Sequence, residues 1–360
     1  MKFRADIQGL RALAVLFVIF HHTFPDILSG GYFGVDIFFV ISGFIITQVL
    51  LRDRAKPMSR FLIDFYARRV RRIFPSALLI ILLASLATYL LLGPITGSDT
   101  ARDGIFASLF LANWHFNSIS IDYFGSGLPS PILQHYWSLA VEEQFYLLWP
   151  IMLFYALRFK HLACIMVIAI SVLSFLLALS EIKSGSGTAF FYTHTRIWEL
   201  GFGAAIALLG LIWSSKLGSY LGLTALILLA FLFDSNSNFP GFSALLVVTL
   251  SSLVLISSEN NKVLKSRIMV YLGDISYLLY LIHWPVLQIH KMYSGEASSL
   301  LGNFVLLSIV LLLSILVHKY FENPIRFASS LTSNSRKTLT AGLLGLSSTL
   351  IILSFLRSIP

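Results

Sequence analysis

Eleven apolar runs, each about as long as a lipid bilayer is thick, follow one another along the 360 residues. A helix rises 1.5 Å per residue, so about 20 apolar residues cross the roughly 30 Å hydrocarbon core. The runs are 10–25, 33–51, 73–92, 136–157, 162–180, 194–213, 217–233, 240–257, 270–290, 299–318 and 338–356. With 57% hydrophobic and only 12% charged residues, the chain is too apolar for a soluble domain. The sequence therefore predicts an all-α polytopic membrane protein with about eleven transmembrane helices.

The basic residues predict the orientation of these helices, because cytoplasmic loops are enriched in Lys and Arg. If the N-terminus is cytoplasmic, 21 of the 26 basic residues fall on the cytoplasmic side, and the C-terminus is periplasmic or extracellular. A twelfth crossing by residues 104–116 would move three basic loops outside, so this stretch is expected to be interfacial or re-entrant. The net charge of +9 thus indicates membrane topology, and no nucleic-acid partner is expected.

The N-terminal run is expected to be retained rather than cleaved as a signal peptide. Lys2 and Arg4 precede it, but His21 and His22 stand where a cleavage site needs small residues. The single cysteine, Cys164, lies within an apolar run and excludes an intrachain disulfide and a cysteine-based metal cluster. No metal site is predicted.

Arg11 and His22 project from one face of the first helix, because eleven residues bring a helix within about 20° of three full turns. They are separated by about 16 Å along the helix axis. Ionisable groups inside a bilayer are costly, and their default interpretation is functional. Asp36, at the outer start of the second run, is a candidate partner that orients His22 and raises its basicity, as a general base requires. The alternative is a structural hydrogen bond between the two helices.

A basic amphipathic segment, residues 52–72, leads into the third run. It contains two overlapping Arg-x-x-Arg pairs, formed by Arg68, Arg69, Arg71 and Arg72. Guanidinium groups at positions i and i+3 of a helix converge on one anion, and they suit phosphate. The alternative is binding of anionic lipid by an ordinary basic juxtamembrane segment.

Two further helices are predicted to carry acidic residues in the outer half of the bilayer. Glu142 and Glu143 lie about two turns into one of them. Arg196 and Glu199 stand at i and i+3 in the other, where the glycines that follow allow close contact between helices. The alternative for Arg196 and Glu199 is a structural ion pair.

A later run combines Tyr277 and His283 with Pro285, which predicts a kinked helix with a histidine at membrane depth. The alternative role for His283 is to seal this kink. Since the carboxylates lie in the outer half and the clustered arginines at the inner mouth, the sequence predicts a polar route across the bilayer.

Several long motifs, in this order, resemble those of the acyltransferase family 3 membrane proteins, which include bacterial O-antigen and other surface-polysaccharide O-acetyltransferases. The motifs are residues 3–15, the Arg-x10-His from Arg11 to His22, and residues 34–44, 65–75, 137–146, 275–285 and 321–324. The resemblance implies a ten-helix acyltransferase domain over residues 1–326. Residues 327–360 are then a linker and one additional transmembrane helix.

The resemblance implies an O-acetyltransferase of the bacterial cytoplasmic (inner) membrane. It would move an acetyl group from cytoplasmic acetyl-CoA to a hydroxyl of an extracytoplasmic carbohydrate, such as O-antigen or another polysaccharide. Acetyl-CoA is then a substrate, and no permanently bound cofactor is expected.

The resemblance also implies roles for the candidate residues. The four arginines would hold the CoA phosphates, and Arg11 would orient the donor. His22 would deprotonate the acceptor hydroxyl or carry the acyl group, with Asp36 orienting it. The remaining candidates for the acceptor or the pore are Glu142, Glu143, Glu199, Tyr277 and His283.

In the O-antigen type of this family, an extra last helix leads to an external SGNH-type domain. Residues 338–356 resemble that helix, whereas the sequence given ends at Pro360. We therefore expect a shortened chain, a membrane part that works alone, or a separate partner.

Two other functions remain open. A transporter or flippase of a lipid-linked sugar could use the same charges as a proton relay, but an inverted repeat is lacking. A structural scaffold would have no reason to carry the cost of the buried His, Asp and Glu residues.

Overall fold

The structure is a computed structural model that describes residues 3–119, 130–159, 161–184, 188–234, 239–295 and 298–359. Across these ranges the regular structure is helical, without any strand. The helices are α1 Ala5–Thr23, α2 Gly34–Asp53, α3 Met58–Leu92, α4 Pro94–Ser108, α5 Ala112–Ser118, α6 Tyr136–Ala156, α7 Leu162–Ser184, α8 Thr193–Leu209, α9 Lys216–Leu232, α10 Phe242–Ser257, α11 Arg267–Asp274, α12 Ser276–Ser294, α13 Leu300–Val317, α14 Asn323–Arg326, α15 Ser329–Thr332 and α16 Ser335–Ser358. The predicted all-α fold class is confirmed.

Five helical segments of the described chain are long and apolar enough to cross a membrane. They are Gly31–Asp53, Met58–Leu92, Leu162–Ser184, Leu300–Arg326 and Ser335–Ser358. The pair α11 and α12, bent by 66°, makes a sixth if it is counted as one broken span. The other predicted runs coincide with helices that are shorter or carry ionisable residues. The chain is therefore a multi-pass membrane protein.

The stretch 104–116 does not form a helix of membrane length. The 15-residue α4 ends at Ser108, and the 7-residue α5 begins at Ala112. Between them Phe110 has a φ of 54°, a left-handed conformation that interrupts a right-handed helix. Part of the loop that follows, predicted over 117–135 to be external, lies outside the described residues.

The described chain divides into two compact units. One contains residues 3–55 and 141–277, and the other contains residues 56–119, 130–140 and 278–359. The divisions fall within α6 and α12, so each of these helices contributes to both units.

In the first unit, α1 packs against the segment around α11 by direct backbone contact. A Cβ atom added to Gly9 would lie 1.9 Å from the carbonyl oxygen of Leu264, and one added to Gly273 would lie 2.0 Å from that of Gln8. Both positions therefore require glycine. In lipid, such close van der Waals packing drives helix association, because the surrounding hydrocarbon is as apolar as the side chains.

A polar contact anchors the start of α1, before the predicted span 10–25. Arg4 Nη2 donates to the carboxylate of Asp6 at 2.6 Å, and the Ser258 hydroxyl donates to the same carboxylate at 2.7 Å. Burial raises the pKa of Asp6, but these hydrogen bonds and the Arg4 charge outweigh burial, so the pKa lies below its ordinary value.

In the second unit, α3, α4 and α16 pack together. A Cβ atom added to Gly342 of α16 would lie 2.4 Å from Cγ1 of Val70. One added to Gly104 of α4 would lie 3.3 Å from the Leu353 side chain. The helix α16 thus packs against the arginine-bearing helix α3 at Gly342 and against α4 at Leu353.

Candidate functional site

Helix α1 is unbroken between Arg11 and His22, so the predicted placement of both residues on one helix is confirmed. Arg11 is buried, and its Nη1 lies 3.4 Å from Oε1 of Gln8. His22 is half-buried, and the centre of its ring lies 5.4 Å from that of His21. His21 Nδ1 lies 3.1 Å from the Leu28 carbonyl oxygen, which accepts its hydrogen bond. His21 is therefore engaged with backbone, whereas His22 is the imidazole that shares a face with Arg11.

Asp36 is buried in the first turn of α2, and its partner lies on α8. Arg196 Nη2 donates to Asp36 Oδ1 at 3.0 Å, and Arg196 Nη1 lies 3.2 Å from Glu199 Oε1. The side chains of all three residues are at most 1% exposed. The ion pair of Arg196 with Glu199 is the alternative that their spacing left open, whereas the addition of Asp36 was not expected. We call these three residues the carboxylate–arginine cluster.

Both carboxyl groups face the same guanidinium, with Asp36 Oδ1 at 3.0 Å and Glu199 Oε1 at 3.2 Å. Since one guanidinium carries a single positive charge, two ionised carboxylates would leave the buried cluster with a net negative charge. One proton and one guanidinium together balance two carboxyl groups, so the cluster can be neutral as a whole. A neutral cluster avoids most of the cost of burying net charge in a bilayer.

Aromatic rings surround the guanidinium of this cluster. Its central carbon lies 5.6, 5.2 and 5.6 Å from the ring centres of Phe39, Phe190 and Phe239, respectively. A cation at this distance is attracted to the face of an aromatic ring, and the attraction is stronger where water is excluded. The rings also isolate Arg196 from solvent, which leaves the two carboxyl groups as its main charged partners.

Two glycines bring α2 and α8 close enough for this cluster to form. A Cβ atom on Gly43 would lie 1.9 Å from the Leu200 carbonyl oxygen, and one on Gly203 would lie 1.9 Å from that of Val40. The prediction that small residues after Glu199 allow close helix contact is therefore confirmed.

Glu142 faces α2 from the neighbouring helix α6. It accepts hydrogen bonds from the hydroxyl groups of Ser42 and Tyr146. Further along, Trp149 Nε1 donates to Oγ1 of Thr47 at 2.8 Å. Glu142, Tyr146 and Trp149 follow at i, i+4 and i+7 and so form one stripe along α6.

The neighbouring candidate in this helix, Glu143, is half-buried and lies about 100° around α6 from Glu142. Tyr277, the second residue of α12, is also half-buried. Both belong to the first unit, together with Arg11, His22 and the carboxylate–arginine cluster.

In the second unit, His283 lies within a buried polar cluster that sequence analysis did not foresee. The centre of its ring is 5.8 Å from that of His135 and 5.5 Å from that of Tyr280. The hydroxyl groups of Ser138 and Tyr280 are 2.7 Å apart, and Tyr280 donates to the His135 carbonyl oxygen at 2.9 Å. We call these four residues the histidine cluster. The only sequence signal for it was the position of His135 just before the 137–146 motif.

The histidine cluster supplies a hydrogen bond that Pro285 removes from α12. Pro285 lacks an N–H group, so the carbonyl of Leu281, four residues earlier, loses its helical donor. His135 Nε2 lies 3.1 Å from that carbonyl oxygen and supplies a replacement donor. His283 Nδ1 instead lies 3.1 Å from the Leu279 carbonyl oxygen. The donor to the Leu281 carbonyl is thus His135, and the alternative in which His283 seals a kink stays a prediction.

The arginines of the two Arg-x-x-Arg pairs lie on one continuous helix, α3, and all four are half-buried. They are not equivalent. Arg71 Nη1 donates to the Leu331 carbonyl oxygen at 3.1 Å and to Thr338 Oγ1 at 3.4 Å. Nearby, Asp64 pairs with Lys56 at 2.9 Å and accepts a bond from Ser335. Arg71 thus links α3 to the beginning of α16.

The chain is similar to a known protein family and to several known proteins. A family model described as an acyltransferase domain matches residues 4–319. The O-acetyltransferase OatA of Staphylococcus aureus (strain NCTC 8325 / PS 47) is 28% identical over 348 residues. That alignment covers 90% of this chain and 57% of the relative.

A second relative, the putative O-acetyltransferase SAS0844 of Staphylococcus aureus (strain MSSA476), is 30% identical over 351 residues, covering 91% of this chain and 58% of the relative. The chain thus spans somewhat more than half the length of the curated relatives it matches. No solved structure matches the chain.

Proposed function

Since this chain belongs to acyltransferase family 3, we propose that it is a membrane O-acetyltransferase that moves an acetyl group from cytoplasmic acetyl-CoA to a hydroxyl of an extracytoplasmic carbohydrate. The observation that carries the proposal is the unbroken helix α1, which holds a buried Arg11 and a half-buried His22 eleven residues apart. The O-acetyltransferase names of the relatives support the acetyl group.

The proposal includes the topology. Eleven spans with a cytoplasmic N-terminus keep most of the basic residues on the cytoplasmic side, in accordance with the positive-inside rule. The donor then enters from the arginine-rich side, and the acceptor hydroxyl is modified on the opposite side, in the bacterial inner membrane.

Arg68, Arg69 and Arg72 are proposed to bind the phosphates of CoA. Guanidinium groups bind phosphate oxygens with paired, charge-assisted hydrogen bonds. Arg71 is separated from this group, because its Nη1 already holds the Leu331 carbonyl and Thr338. Its loss would disturb the attachment of α16 as well as any donor contact.

His22 is proposed to perform the chemistry by one of two routes. As a base, it takes the proton of the acceptor hydroxyl while the hydroxyl oxygen attacks the thioester carbon. The carbon–sulfur bond then breaks, and the proton passes to the thiolate of CoA. As a nucleophile, an imidazole nitrogen of His22 attacks the thioester carbon, the carbon–sulfur bond breaks, and the imidazole proton passes to the thiolate of CoA. The acceptor hydroxyl oxygen then attacks the acetyl carbon, the bond from this carbon to nitrogen breaks, and the imidazole takes the hydroxyl proton.

The carboxylate–arginine cluster is proposed to position α2 and α8. Asp36 then acts on His22 indirectly, because it fixes the N-terminal end of α2. Glu142, Glu143, Tyr277 and His283 remain proposals for the acceptor route. An external SGNH-type domain or separate protein is a proposed partner for delivery to the final acceptor.

The experiment measures acetyl-CoA binding and turnover of labelled acetyl groups in membranes that contain the protein. Replacing the candidate base, His22→Gln, is expected to leave binding unchanged and to lower turnover by about 10²–10⁴-fold, the usual contribution of acid–base catalysis. His21→Gln is the matched control, because His21 is the adjacent imidazole on another face of α1. The double change Arg69→Ala with Arg72→Ala is expected to weaken binding.

If the wild type neither binds nor consumes acetyl-CoA, even when an external SGNH-type domain is added, the donor assignment fails. Uptake or flipping of a lipid-linked sugar would then become the activity to measure. If His21→Gln and His22→Gln lower turnover equally, the assignment of His22 fails.

A further inference from the structure

An apolar cavity of about 210 Å³ lies in the second unit, beside Arg71. Most of its wall comes from α3 and α16, and Ile325 of α14 and Leu331 of α15 complete it. The cavity is partly open to its surroundings. Nothing in the proposed transfer reaction uses it.

The cavity exists because α3 and α16 touch at one point and separate at the next. A Cβ atom on Gly342 would lie 2.4 Å from Cγ1 of Val70, so the helices are in tight contact there. A Cβ atom on Gly345 would meet only Cδ1 of Leu78, at 3.8 Å, which is ordinary contact distance. The helices therefore diverge from Gly342 towards Gly345 and leave a gap between them.

An apolar hydrocarbon chain is a more favourable occupant of this gap than water. Water in a cavity needs two to four polar partners, and apolar cavities stay dry. An apolar cavity of about 150 Å³ accepts a benzene ring, so this cavity has room for several methylene groups. Both α3 and α16 are long and apolar enough to span a membrane, so the available hydrocarbon is the acyl chain of a lipid.

The positive charge of Arg71 beside the cavity favours an anionic lipid over a neutral one. Arg71 lines the cavity, and its guanidinium has five N–H donors, of which Nη1 serves the Leu331 carbonyl and Thr338. The positive charge of Arg68 acts on Arg71. Basic pockets between transmembrane helices bind acidic lipid head groups.

We propose that the cavity between α3 and α16 binds one acyl chain of an anionic phospholipid, whose phosphate is held by Arg71. The chain fills the space between Leu78 and Gly345, and the lipid becomes part of the contact between the two helices. This site is independent of the acetyl-transfer proposal, because it requires no donor and no acceptor.

Native mass spectrometry of the full chain tests the proposal. The protein is released from nanodiscs that contain equal amounts of phosphatidylglycerol and phosphatidylcholine. We expect the wild type to retain about one phosphatidylglycerol per chain. Gly345→Leu fills the cavity and is expected to lower retention at least tenfold, while Ala341→Phe is a second filling variant if Gly345→Leu does not fold.

The matched control is Ser347→Leu, which adds the same side chain to α16 at an exposed position outside the cavity. It is expected to retain the lipid as the wild type does. Arg71→Gln is expected to keep a bound lipid but to lose the preference for phosphatidylglycerol.

Three results would overturn the proposal. One is full retention in a folded cavity-filling variant, and another is equal retention of both lipids by the wild type. The third is displacement of the bound lipid by stoichiometric palmitoyl-CoA, which would identify the occupant as an acyl donor.

Discussion

The carboxylate–arginine cluster of the first unit and the histidine cluster of the second unit bury polar groups for different purposes. In the first, Asp36 and Glu199 face one guanidinium, and each partner is a charged or chargeable side chain. In the second, the imidazoles of His135 and His283 contact backbone carbonyl oxygens. In the first cluster, charged side chains join α2 to α8. In the second, a histidine donates the hydrogen bond that the proline removes from α12.

The two clusters are expected to differ in how much stability is lost when one of their members is removed. Removing one member of a balanced charged cluster leaves an uncompensated charge, which is far more costly than losing one neutral hydrogen bond. Removing a donor to a backbone carbonyl costs only the desolvation of that group. The variants Arg196→Leu, His135→Leu and Asp6→Asn test whether the losses of stability follow this order.

The largest effect is expected for Arg196→Leu. Two buried carboxyl groups then share no cation, so the free energy of unfolding should fall by about 3–5 kcal/mol. Thermal or denaturant unfolding of the detergent-solubilised protein measures it.

The triple variant Asp36→Asn, Arg196→Leu, Glu199→Gln is its control, because it removes all the charges together. It should recover a substantial part of the loss. If the triple variant is as unstable as Arg196→Leu alone, packing rather than charge balance holds the cluster.

A smaller effect is expected for His135→Leu, which leaves the Leu281 carbonyl without its donor and should cost about 1–3 kcal/mol. The change Pro285→Ala offers a matched background, because residue 285 then has an N–H group that can reach the same carbonyl. His135→Leu should therefore cost less in the Pro285→Ala background. Equal costs in both backgrounds would mean that His135 does not replace the missing helical bond.

The smallest effect is expected for the pair of Asp6 with Arg4, which stands before the predicted first span and in which the Arg4 side chain is 25% exposed. Asp6→Asn should lower stability by about 1 kcal/mol at pH 7, because the charge of the partly exposed Arg4 is screened and the asparagine amide oxygen can still accept hydrogen bonds. The pKa of Asp6 is lowered in the folded state. Its contribution is therefore present above the unfolded value of about 3.9 and is lost as pH falls below it.

Unfolding of the wild type and Asp6→Asn should accordingly converge at acidic pH, which a pH series of melting temperatures checks. A difference between them that is independent of pH would show that the carboxylate charge contributes nothing.

Local spacing predicted several of these features. An ion pair of Arg196 with Glu199 was one of two interpretations of their spacing, because residues at i and i+3 of a helix are neighbours. Arg11 and His22 were expected on one face for the same geometric reason. The break in 104–116 was expected from its polar residues and from the charge of the loops that follow.

Contacts between helices distant in sequence were the features that spacing could not predict. Asp36 was assigned to His22 because both were expected near the same membrane face, but its hydrogen bond comes from Arg196, 160 residues away. The Arg-x-x-Arg spacing likewise did not predict the bonds of Arg71 to Leu331 and Thr338, which lie 260 and 267 residues away along the chain.

By itself, the sequence determined that the chain is helical, that it crosses a membrane repeatedly, and which residues share a helix face. Hydropathy and helical periodicity are local properties, so a single segment is enough to read them. Only the tertiary structure decided which faces meet. In lipid, apolar surface does not distinguish one helical neighbour from another, so the choice depends on where glycines allow close approach and where buried polar groups find partners.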